Sequence, residues 1–354
     1  MINTIYVEQA LEDDARAQRI LARFPDVTQV ICERYGEVFN PKAQNFRLQK
    51  SHPALVLAEK FGETMLLTPA GYGIGGAHNY YFSYMMNCIY DCRYCFLQGM
   101  YRSAHYVVFV NYERFFSGMA DKLEAHPGED VWFFSGYDCD SLALEPVTGF
   151  VSELLVWLNS HPRAHIELRT KSTQVRPLLA AEPRQNVVIA FSLTPTDTAA
   201  ALEHKAPPVS KRLGAMAKLA SRGWQVGLRF DPILFESTYQ ERYRALFTEV
   251  FSSLSVQSIH SVTLGPFRMP KTFFRNVIQL YPEEPLFASP FSDRGTMISY
   301  PESRENEMIE FCVNELSRYL PASKLFSCSP ESRASVTGNR GDRDVSTCPA
   351  PADD

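Results

Sequence analysis

The sequence predicts an α/β protein, a partial (β/α)6 barrel of the TIM type with a small N-terminal lobe and a C-terminal appendage. Three observations indicate this fold class. Apolar runs rich in β-branched and aromatic residues recur after residue 77, segments with helical periodicity lie between them, and turn residues separate the two. This alternation is typical of parallel βαβ units. Because six such runs occur rather than the eight of a closed barrel, an open barrel is favoured, with a doubly wound sheet as the alternative.

The predicted barrel elements follow one another along the chain. The strands are Asn79–Met86, Val131–Gly136, His165–Thr170, Val187–Leu193, Gln225–Phe230 and His260–Leu264. The helices are Tyr112–His126, Val147–Ser160, Val209–Arg222, Tyr239–Ser253 and Lys271–Tyr281. In either arrangement of the sheet, we expect the chemistry at the carboxyl ends of the strands.

The pattern divides the chain into four regions. They are an N-terminal α/β lobe at 1–76, the barrel at 77–283, an appendage at 284–330 and a tail at 331–354. The lobe is predicted to contain a helix at about Gln9–Phe24 and a strand at Val27–Glu33, and the appendage a last helix near Arg304–Tyr319. The tail has almost no large apolar residues, so we predict that it is disordered.

Composition and charge exclude several classes of protein. The 354 residues are 45% hydrophobic and include 24 Phe and 17 Tyr, so the chain is neither disordered throughout nor of low complexity. A formal net charge of −5 argues against nucleic-acid binding by bulk charge, although a local basic patch is compatible with it.

No membrane or export segment is predicted. Glu8, Glu12 and Asp13 lie where a secretory signal needs an apolar run. The longest stretch without Asp, Glu, Lys or Arg is Thr64–Tyr90, which contains Pro69 and four glycines and is no membrane span. We therefore expect a cytoplasmic protein without membrane contact, whose eight cysteines are reduced or bound to metal.

Three cysteines lie close together directly after the first predicted strand, in the segment Cys88-Ile-Tyr-Asp-Cys92-Arg-Tyr-Cys95. A loop of this length brings three thiolates to one metal centre, and thiolates suit iron–sulfur, zinc or Cu(I). A four-iron cluster normally takes four thiolates, so three leave one iron open to another ligand. A structural zinc site is the alternative, but zinc motifs usually have a second C-x2-C pair, and the other cysteines stand alone.

The motif and several further stretches carry a family resemblance. C-x3-C-x2-C with an aromatic residue, Tyr94, just before the third cysteine resembles the motif of radical S-adenosylmethionine enzymes. Between Pro53 and Glu331 the chain is similar to the spore photoproduct lyase family, radical enzymes that repair thymine dimers in DNA. The similar stretches are Pro53-Ala-Leu-Val-Leu-Ala, Thr68-Pro-Ala-Gly-Tyr-Gly, Asn79-Tyr-Tyr-Phe-Ser, Cys95-Phe-Leu-Gln, Val110-Asn-Tyr-Glu, Asp140-Ser-Leu-Ala-Leu-Glu, Thr170-Lys-Ser-Thr and Leu228-Arg-Phe-Asp-Pro.

The resemblance implies two cofactors and a source of electrons. Cys88, Cys92 and Cys95 would hold a [4Fe-4S] cluster, and its open iron would bind S-adenosylmethionine. A donor such as flavodoxin or ferredoxin would reduce the cluster. S-adenosylmethionine would then be cleaved to methionine and a 5′-deoxyadenosyl radical that abstracts a substrate hydrogen.

The resemblance also implies which residues bind S-adenosylmethionine. Ser135 and Gly136, at the end of the second strand, would receive the methionine amino group, and a glycine there allows close backbone approach. Lys171 would bind the carboxylate, Ser192 the carboxylate or ribose, and Tyr94 would lie near the adenine. The alternative for Lys171 is a solvated cation and for Ser192 a strand-end hydroxyl. Their positions at strand ends favour the site.

Two positions depart from the family pattern and concern the hydrogen donor. Family members that repair the dimer use a cysteine after the second strand, and alignment on Asp140 puts Tyr137 there, with Cys139 two residues later. The family tyrosine after the third cluster cysteine is Phe96 here, whereas Tyr94 is retained. Residues two apart in an extended segment point the same way, so the hypothesis is that Cys139 or Tyr137 donates the hydrogen, with Tyr94 in the relay.

Two groups of charged residues are candidates for contact with the substrate. Arg229 and Asp231 are expected either to form an ion pair lining the pocket or to be a structural pair. Arg268, Lys271 and Arg275 have the spacing i, i+3, i+7 that places three cations on one helix face, suited to phosphates or simply solvated.

A turn in the appendage is a further candidate. The Asp293–Thr296 turn is flanked by Phe291 and Met297, so it is a candidate for a hairpin that wedges into a duplex, or for an exposed loop held by core contacts.

The function predicted from these residues is reversal of a thymine or other pyrimidine lesion in DNA by radical C–C bond cleavage. One alternative keeps the radical chemistry with a different nucleotide, RNA or small-molecule substrate, because Phe96 and the displaced cysteine alter the relay. The other is a non-catalytic iron–sulfur or zinc protein.

Overall fold

A computed structural model describes residues 2–69 and 71–327 of the chain. The predicted disordered tail at 331–354 lies outside these residues. The centre of the fold is a curled sheet of parallel strands, each paired with the next along the chain. They are β1 (His78–Phe82), β2 (Val131–Ser135), β3 (Ala164–Thr170), β4 (Val187–Ser192), β5 (Gln225–Ile233) and β6 (Ile259–Pro266). The prediction of a partial six-stranded barrel is confirmed.

Two further strands lie at the edges of this sheet and do not join each other. Leu66–Leu67 pairs antiparallel with β1, and Leu325–Ser327 pairs parallel with β6. The sheet is therefore open. Within β5, Val226, Leu228 and Phe230 pack in the main core, and Arg229 between them faces the concave side, as alternation along a strand requires.

Helices cover the convex face. Those of eight or more residues within the described ranges are α1 (Tyr112–Ala125), α2 (Phe150–Trp157), α3 (Val209–Ser221), α4 (Tyr239–Ser253), α5 (Lys271–Leu280) and α6 (Glu302–Leu316). The shorter ones are Ala15–Leu21, Phe46–Ser51, Leu97–Met100, Glu145–Thr148, Arg176–Ala180 and Thr196–Leu202.

One predicted helix is interrupted. The segment 147–160 breaks at Gly149, whose φ of +65° is left-handed. The Glu145 carboxylate accepts hydrogen bonds from the backbone N–H groups of Val151 (3.0 Å) and Ser152 (3.2 Å), so it caps the start of α2. The cap explains why a new helix begins there.

A second sheet forms most of the N-terminal lobe. Its strands in spatial order are Thr28–Cys32, Thr4–Glu8, Leu55–Ala58, Tyr106–Phe109 and Met85–Met86. The predicted helix at 9–24 is shorter, because Asp14 caps it by accepting from the Ala17 N–H at 2.7 Å. Two of the strands come from beyond residue 76, so long-range pairing joins the lobe to the barrel. The four-region division of the chain remains a proposal.

Two general expectations can be compared with the described residues. None of their helices combines the length and apolar character that a membrane span needs. The cysteines among them, Cys32, Cys88, Cys92, Cys95, Cys139 and Cys312, are free thiols, as predicted.

Candidate active site

The cysteine loop lies at the carboxyl edge of the barrel and is fixed by pairing with a distant segment. Asp91–Cys92 forms a short antiparallel ladder with Glu203–His204, and the Arg93 N–H donates to the Leu202 carbonyl at 2.8 Å. From the N-terminal lobe, the buried Lys50 ammonium donates to the carbonyl of Cys88 at 3.2 Å. Contacts from two regions thus hold the backbone of the loop and leave its thiols to face inward.

The three predicted ligand thiols lie together in a dry environment. Cys88, Cys92 and Cys95 interact electrostatically with one another. Burial raises the pKa of Cys88 to about 12 and also raises the pKa values of Cys92 and Cys95, while the positive charge of Lys171 acts in the opposite direction on the latter two. Thiols in such a place ionise when a cation binds them. Cys92 is buried and Cys88 and Cys95 are half-buried. A group of three soft donors in such a place fits an iron–sulfur cluster.

Tyr94 is locked into a buried ionic network. Its hydroxyl donates to Glu203, which also accepts from Thr194 Oγ1 at 3.0 Å and from the Arg212 guanidinium. Arg212 donates in turn to the carbonyl of Ser192 at 3.1 Å, at the end of β4. The network therefore ties the cysteine loop to the strand end where Ser192 was predicted to bind the cofactor.

Lys171 lies within this network, at the end of β3. Its ammonium is 5.5 Å from the centroid of the Tyr94 ring. Burial alone would lower its pKa, but the neighbouring Cys92 and Glu203 more than offset this, so the pKa is raised. A positive charge is thus held beside the thiols of Cys92 and Cys95, and binding of a carboxylate by Lys171 stays a prediction.

The turn after β2 is shaped by Gly136 and Asp140. Gly136 has a φ of +91°, and an added Cβ would lie 2.9 Å from the Arg169 carbonyl oxygen, so only glycine fits. Asp140 accepts from Thr170 Oγ1 and from the Lys171 N–H, both at 2.6 Å. The Ser135 hydroxyl, which is buried, accepts from Ser141 Oγ at 3.1 Å. These contacts bring the predicted residues Ser135, Gly136 and Lys171 to adjacent strand ends.

Tyr137 and Cys139 occupy different environments, although both belong to the same turn. The Tyr137 ring is 44% exposed and lies 4.7 Å from the Tyr81 ring and 5.3 Å from that of Phe96, directly after the third cysteine. Cys139 is only 6% exposed; burial raises its pKa, and the Met85 N–H donates to its sulfur. The expectation that the two point into the same space is not met, because the turn around Gly136 interrupts the extended backbone.

The prediction that Arg229 forms an ion pair with Asp231 is wrong. Arg229 is fully buried and donates to Glu167 at 2.7 and 3.1 Å. Burial alone would raise the pKa of Glu167, but Arg229 and Arg169 lower it to about 2. Asp231 pairs with Arg268 at 3.0 Å and with Arg169 at 3.9 Å. Arg229 and Asp231 do not pair with each other because Glu167 on β3, two strands away, and Arg268 in the strand after β6 offer them closer partners.

The prediction that Arg268, Lys271 and Arg275 lie on one helix face is also wrong. α5 begins at Lys271, and Arg268 lies before it in the strand Arg268–Pro270, where its guanidinium points to Asp231 and the Tyr72 hydroxyl (2.7 Å). Lys271 pairs with Asp293, and Arg275 is exposed on α5 near the same carboxylate. Pro270 ends the strand and fixes the helix start, so the i, i+3, i+7 geometry does not include Arg268.

The predicted hairpin is present, but its apolar flank is not at the tip. Ser292–Arg294 and Met297–Ser299 pair antiparallel. Phe291 packs on the rings of Phe267 (4.7 Å) and Tyr300 (4.9 Å), and the exposed tip is Asp293, Gly295 and Thr296. Phe291 anchors the hairpin to the core, which fits the alternative of an exposed loop held by core contacts; contact of this hairpin with DNA stays a prediction.

Sequence reasoning missed several residues of this site. Glu203, Arg212, Arg169 and Asp138 follow no motif, and the contacts of Glu203 with Tyr94 and of Arg169 with Asp231 join residues that are far apart in the chain. Asp138 is largely buried; burial raises its pKa to about 6, and among the described residues its Oδ1 has no hydrogen-bond partner. A charged residue in an otherwise apolar segment was the one available signal, as for Glu167 in β3.

Comparison with known proteins adds a family match. The model of the family "Spore photoproduct lyase" matches residues 76–325. The spore photoproduct lyase of Bacillus subtilis is 24% identical over 210 residues, which cover 58% of this chain and 61% of that protein. The enzyme of the same name from Clostridium acetobutylicum is 18% identical over 252 residues, covering 68% and 74%. The match with the first relative thus leaves more than a third of its length uncovered.

Solved structures show the same fold. A spore photoproduct lyase complexed with dinucleoside spore photoproduct has 18% identity and a TM-score of 0.78, with 93% of this chain and 98% of that chain covered. A variant with bound AdoMet and dinucleoside spore photoproduct has 17% identity, a TM-score of 0.79 and the same coverage. The partial barrel and both flanking regions are therefore common to these structures and to this chain.

Proposed function

The chain belongs to the spore photoproduct lyase family, and on that premise we propose that it is a radical S-adenosylmethionine enzyme that reverses a pyrimidine lesion in DNA by C–C bond cleavage. The observation that carries the proposal is the convergence of Cys88, Cys92 and Cys95 with Lys171 at the carboxyl edge of the barrel. In (β/α) folds this edge is where reactions take place.

The three thiols would hold a [4Fe-4S] cluster with one iron open to S-adenosylmethionine. When bound, this pair supplies a 5′-deoxyadenosyl radical by one-electron cleavage of the sulfonium. Lys50 holds the loop backbone and Lys171 offsets the negative charge of the thiolates. Cys92 is buried and Cys88 and Cys95 are half-buried, so contact of the ligands with water is restricted, which protects a reactive centre from side reactions.

The chain's own groups would bind and orient S-adenosylmethionine. Lys171 supplies a fixed positive charge for the carboxylate, and the turn at Ser135 and Gly136 exposes backbone to the amino group. Ser192 lies at the next strand end for the carboxylate or ribose. The Tyr94 ring covers the space beside Lys171 for the adenine, and its hydroxyl is held by Glu203, which fixes the ring.

We assign the hydrogen donor to Tyr137 rather than Cys139. The half-exposed Tyr137 ring lies over Phe96 at the mouth of the barrel, where a substrate arrives, whereas Cys139 is buried beneath the turn. A phenol O–H returns a hydrogen atom to a product radical and leaves a tyrosyl radical. Tyr94, the retained family tyrosine, would lie at the cofactor end of such a relay.

Tyr137→Phe tests this assignment. We expect radical formation to continue while clean product falls by at least tenfold and side products accumulate, because nothing at the mouth returns the hydrogen. Product analysis by mass spectrometry measures the ratio. Cys139→Ala is the matched control and is expected to keep clean turnover; the reverse pattern would transfer the role to Cys139.

The substrate part of the proposal rests on the family and on two cations. The related solved structure binds dinucleoside spore photoproduct. Lys271 and Arg275 lie beside the hairpin, where they can contact phosphates. One observation favours a second candidate, a different nucleotide, RNA or small molecule: Tyr137 and Phe96 replace the cysteine and tyrosine of the repair relay.

Anaerobic reconstitution with iron and sulfide is the deciding experiment. We expect a four-iron cluster whose EPR spectrum changes with S-adenosylmethionine, and 5′-deoxyadenosine after reduction by dithionite or by a flavodoxin or ferredoxin. Irradiated thymine oligonucleotides should then yield restored thymines. Cofactor cleavage without repair would leave the second candidate. Two results would overturn the enzyme assignment. One is purified protein with zinc in the cysteine site, and the other is an iron cluster whose EPR spectrum does not change with S-adenosylmethionine.

We also propose roles for the regions of the chain. The barrel at 77–283 carries both cofactors, the lobe at 1–76 holds the cysteine loop through Lys50, and the appendage at 284–330 supplies the hairpin.

The proposed location of the protein is the cytoplasm, because this reducing compartment contains DNA and suits an oxygen-sensitive cluster.

A further inference from the structure

A second group of metal-ligating side chains lies at the opposite, amino edge of the barrel. His78 is the first residue of β1, His126 directly follows α1, and Glu129 is in the turn that leads into β2. None of them belongs to the proposed function, because the cysteine loop and Lys171 are at the carboxyl edge.

The three side chains are already close enough to share one ion. A ring nitrogen of each histidine and a carboxylate oxygen of Glu129 lie within 4.8 Å of one another. His78 Nε2 is 3.0 Å from Glu129 Oε2, and the rings of His78 and His126 are stacked with centroids 3.6 Å apart. Two imidazoles and a carboxylate are a ligand set used by catalytic zinc sites.

The surrounding contacts hold these ligands in place. The Arg163 guanidinium donates to the carbonyl of His126 at 2.8 Å and to that of Glu129 at 2.6 Å, so it fixes the turn that carries both. The buried Tyr80 hydroxyl lies 2.9 Å from His126 Nε2. An outer partner of this kind sets the orientation and tautomer of a ligating histidine.

The nearby charges are compatible with a cation. Lys122, the closest ammonium on α1, lies over the Tyr80 ring at 5.1 Å and pairs with Glu63 at 3.4 Å. Asp130 lies next to Glu129 and pairs with His165 at 3.3 Å. Glu129 is more than half exposed, so an ion can reach the site from solvent.

We propose that His78, His126 and Glu129 bind a divalent ion of the zinc class, with water completing its coordination. The ion takes the place of the hydrogen bond between His78 and Glu129. A neutral imidazole binds it through one ring nitrogen and carries its proton on the other, so no oxidant or reductant is involved. Bound there, it joins the start of β1, the end of α1 and the turn before β2. The ion therefore stabilises the first βαβ unit and takes no part in the chemistry at the other edge.

Titration of the full chain with Co²⁺, followed by Zn²⁺ displacement, tests the proposal. Thiolate-bound cobalt gives a strong sulfur-to-metal charge-transfer band, whereas cobalt on histidine and carboxylate gives only weak visible bands, so one spectrum separates the two sites. We expect wild type to show both signals. His126→Ala should lose the visible bands of the second site and keep the thiolate band.

His161→Ala is the matched control, because His161 is also stacked on a neighbour, the Trp157 ring at 3.8 Å, but lies outside the cluster. It should bind as wild type. Tyr80→Phe retains all three ligands and should weaken binding by roughly tenfold through loss of the outer partner. Equal metal stoichiometry in wild type and a folded His126→Ala variant, checked by circular dichroism, would overturn the proposal, as would Co²⁺ bands of thiolate type alone.

Discussion

The carboxyl edge of the barrel has two halves that are built differently. In the cofactor half, formed by the cysteine loop, Lys171 and Glu203, the charges are buried or half-buried and interact with one another. In the substrate half, formed by Tyr137, Lys271 and the hairpin, the groups are partly exposed. The cofactor half retains the cysteine motif. The two departures from the family pattern, Phe96 and Tyr137, lie against each other where the halves meet, with ring centroids 5.3 Å apart.

The difference indicates where this chain is constrained and where it has changed. Generating a radical needs dry, preorganised ligands, and burial makes any change in that network costly. Exposed aromatic and basic residues tolerate substitution, so we expect substitutions there to change substrate preference without loss of the radical chemistry. The following predictions test this separation of the two halves, beginning with the largest effect.

Cys92→Ala should abolish cleavage of S-adenosylmethionine and bound iron should be lost, because two thiolates do not hold the cluster at this edge. Iron content and 5′-deoxyadenosine yield measure the effect. Cys32→Ala, a buried cysteine of the N-terminal sheet, is the control and should retain both. A Cys92 variant with full iron and activity would contradict the ligand assignment.

Lys171→Met should weaken the binding of S-adenosylmethionine. It should have little effect on kcat, the rate of turnover once S-adenosylmethionine is bound. A charge-assisted hydrogen bond contributes about 1.5–3 kcal/mol, so the KM should rise roughly ten- to a hundredfold. Steady-state kinetics of 5′-deoxyadenosine formation give KM and kcat separately. Lys218→Met, on the exposed face of α3, should behave as wild type. An unchanged KM in Lys171→Met would remove this lysine from the binding site.

Asp138→Asn should change how stability depends on pH. The folded pKa of Asp138, about 6, is above its unfolded value, because burial favours the neutral acid. The folded state therefore holds this proton more tightly, and stability is lost as pH rises from about 4 to 6. The variant lacks this pH-dependent loss of stability. Its free energy of unfolding should therefore increase by about 1–2 kcal/mol relative to that of wild type across that range.

Urea unfolding at a series of pH values measures this difference. Asp26→Asn, an exposed carboxyl, serves as the control and should run parallel to wild type. Parallel curves for Asp138→Asn and wild type would show that Asp138 titrates normally, and that the turn beside Tyr137 is as well solvated as the rest of the substrate half.

Lys271→Ala should have the smallest effect. If this cation contacts one phosphate, the slope of log affinity for DNA against log salt should decrease by about one, with similar loss for damaged and undamaged sequences. Fluorescence anisotropy at several salt concentrations measures it. A loss confined to damaged DNA would indicate that Lys271 reads the lesion, and an unchanged slope would place DNA elsewhere.

Patterns that are local in the chain were predicted well. The six barrel strands, the long helices and the hairpin follow from periodicity and turn residues within short windows. The N-terminal sheet was largely missed, because its strands Thr4–Glu8 and Leu55–Ala58 are short and are stabilised by pairing with each other and with Tyr106–Phe109. Nothing in a short window specifies such partners.

The sequence by itself determined the grouping of the three cysteines, because thiols within eight residues stay close to one another in a short loop. It also determined the alternation of strand and helix. Only the tertiary structure decided the electrostatic partners: Arg229 lies against Glu167, 62 residues away, and Arg268 against Asp231, 37 residues away. A buried charge pairs with the nearest opposite charge in space, and sheet register sets that distance.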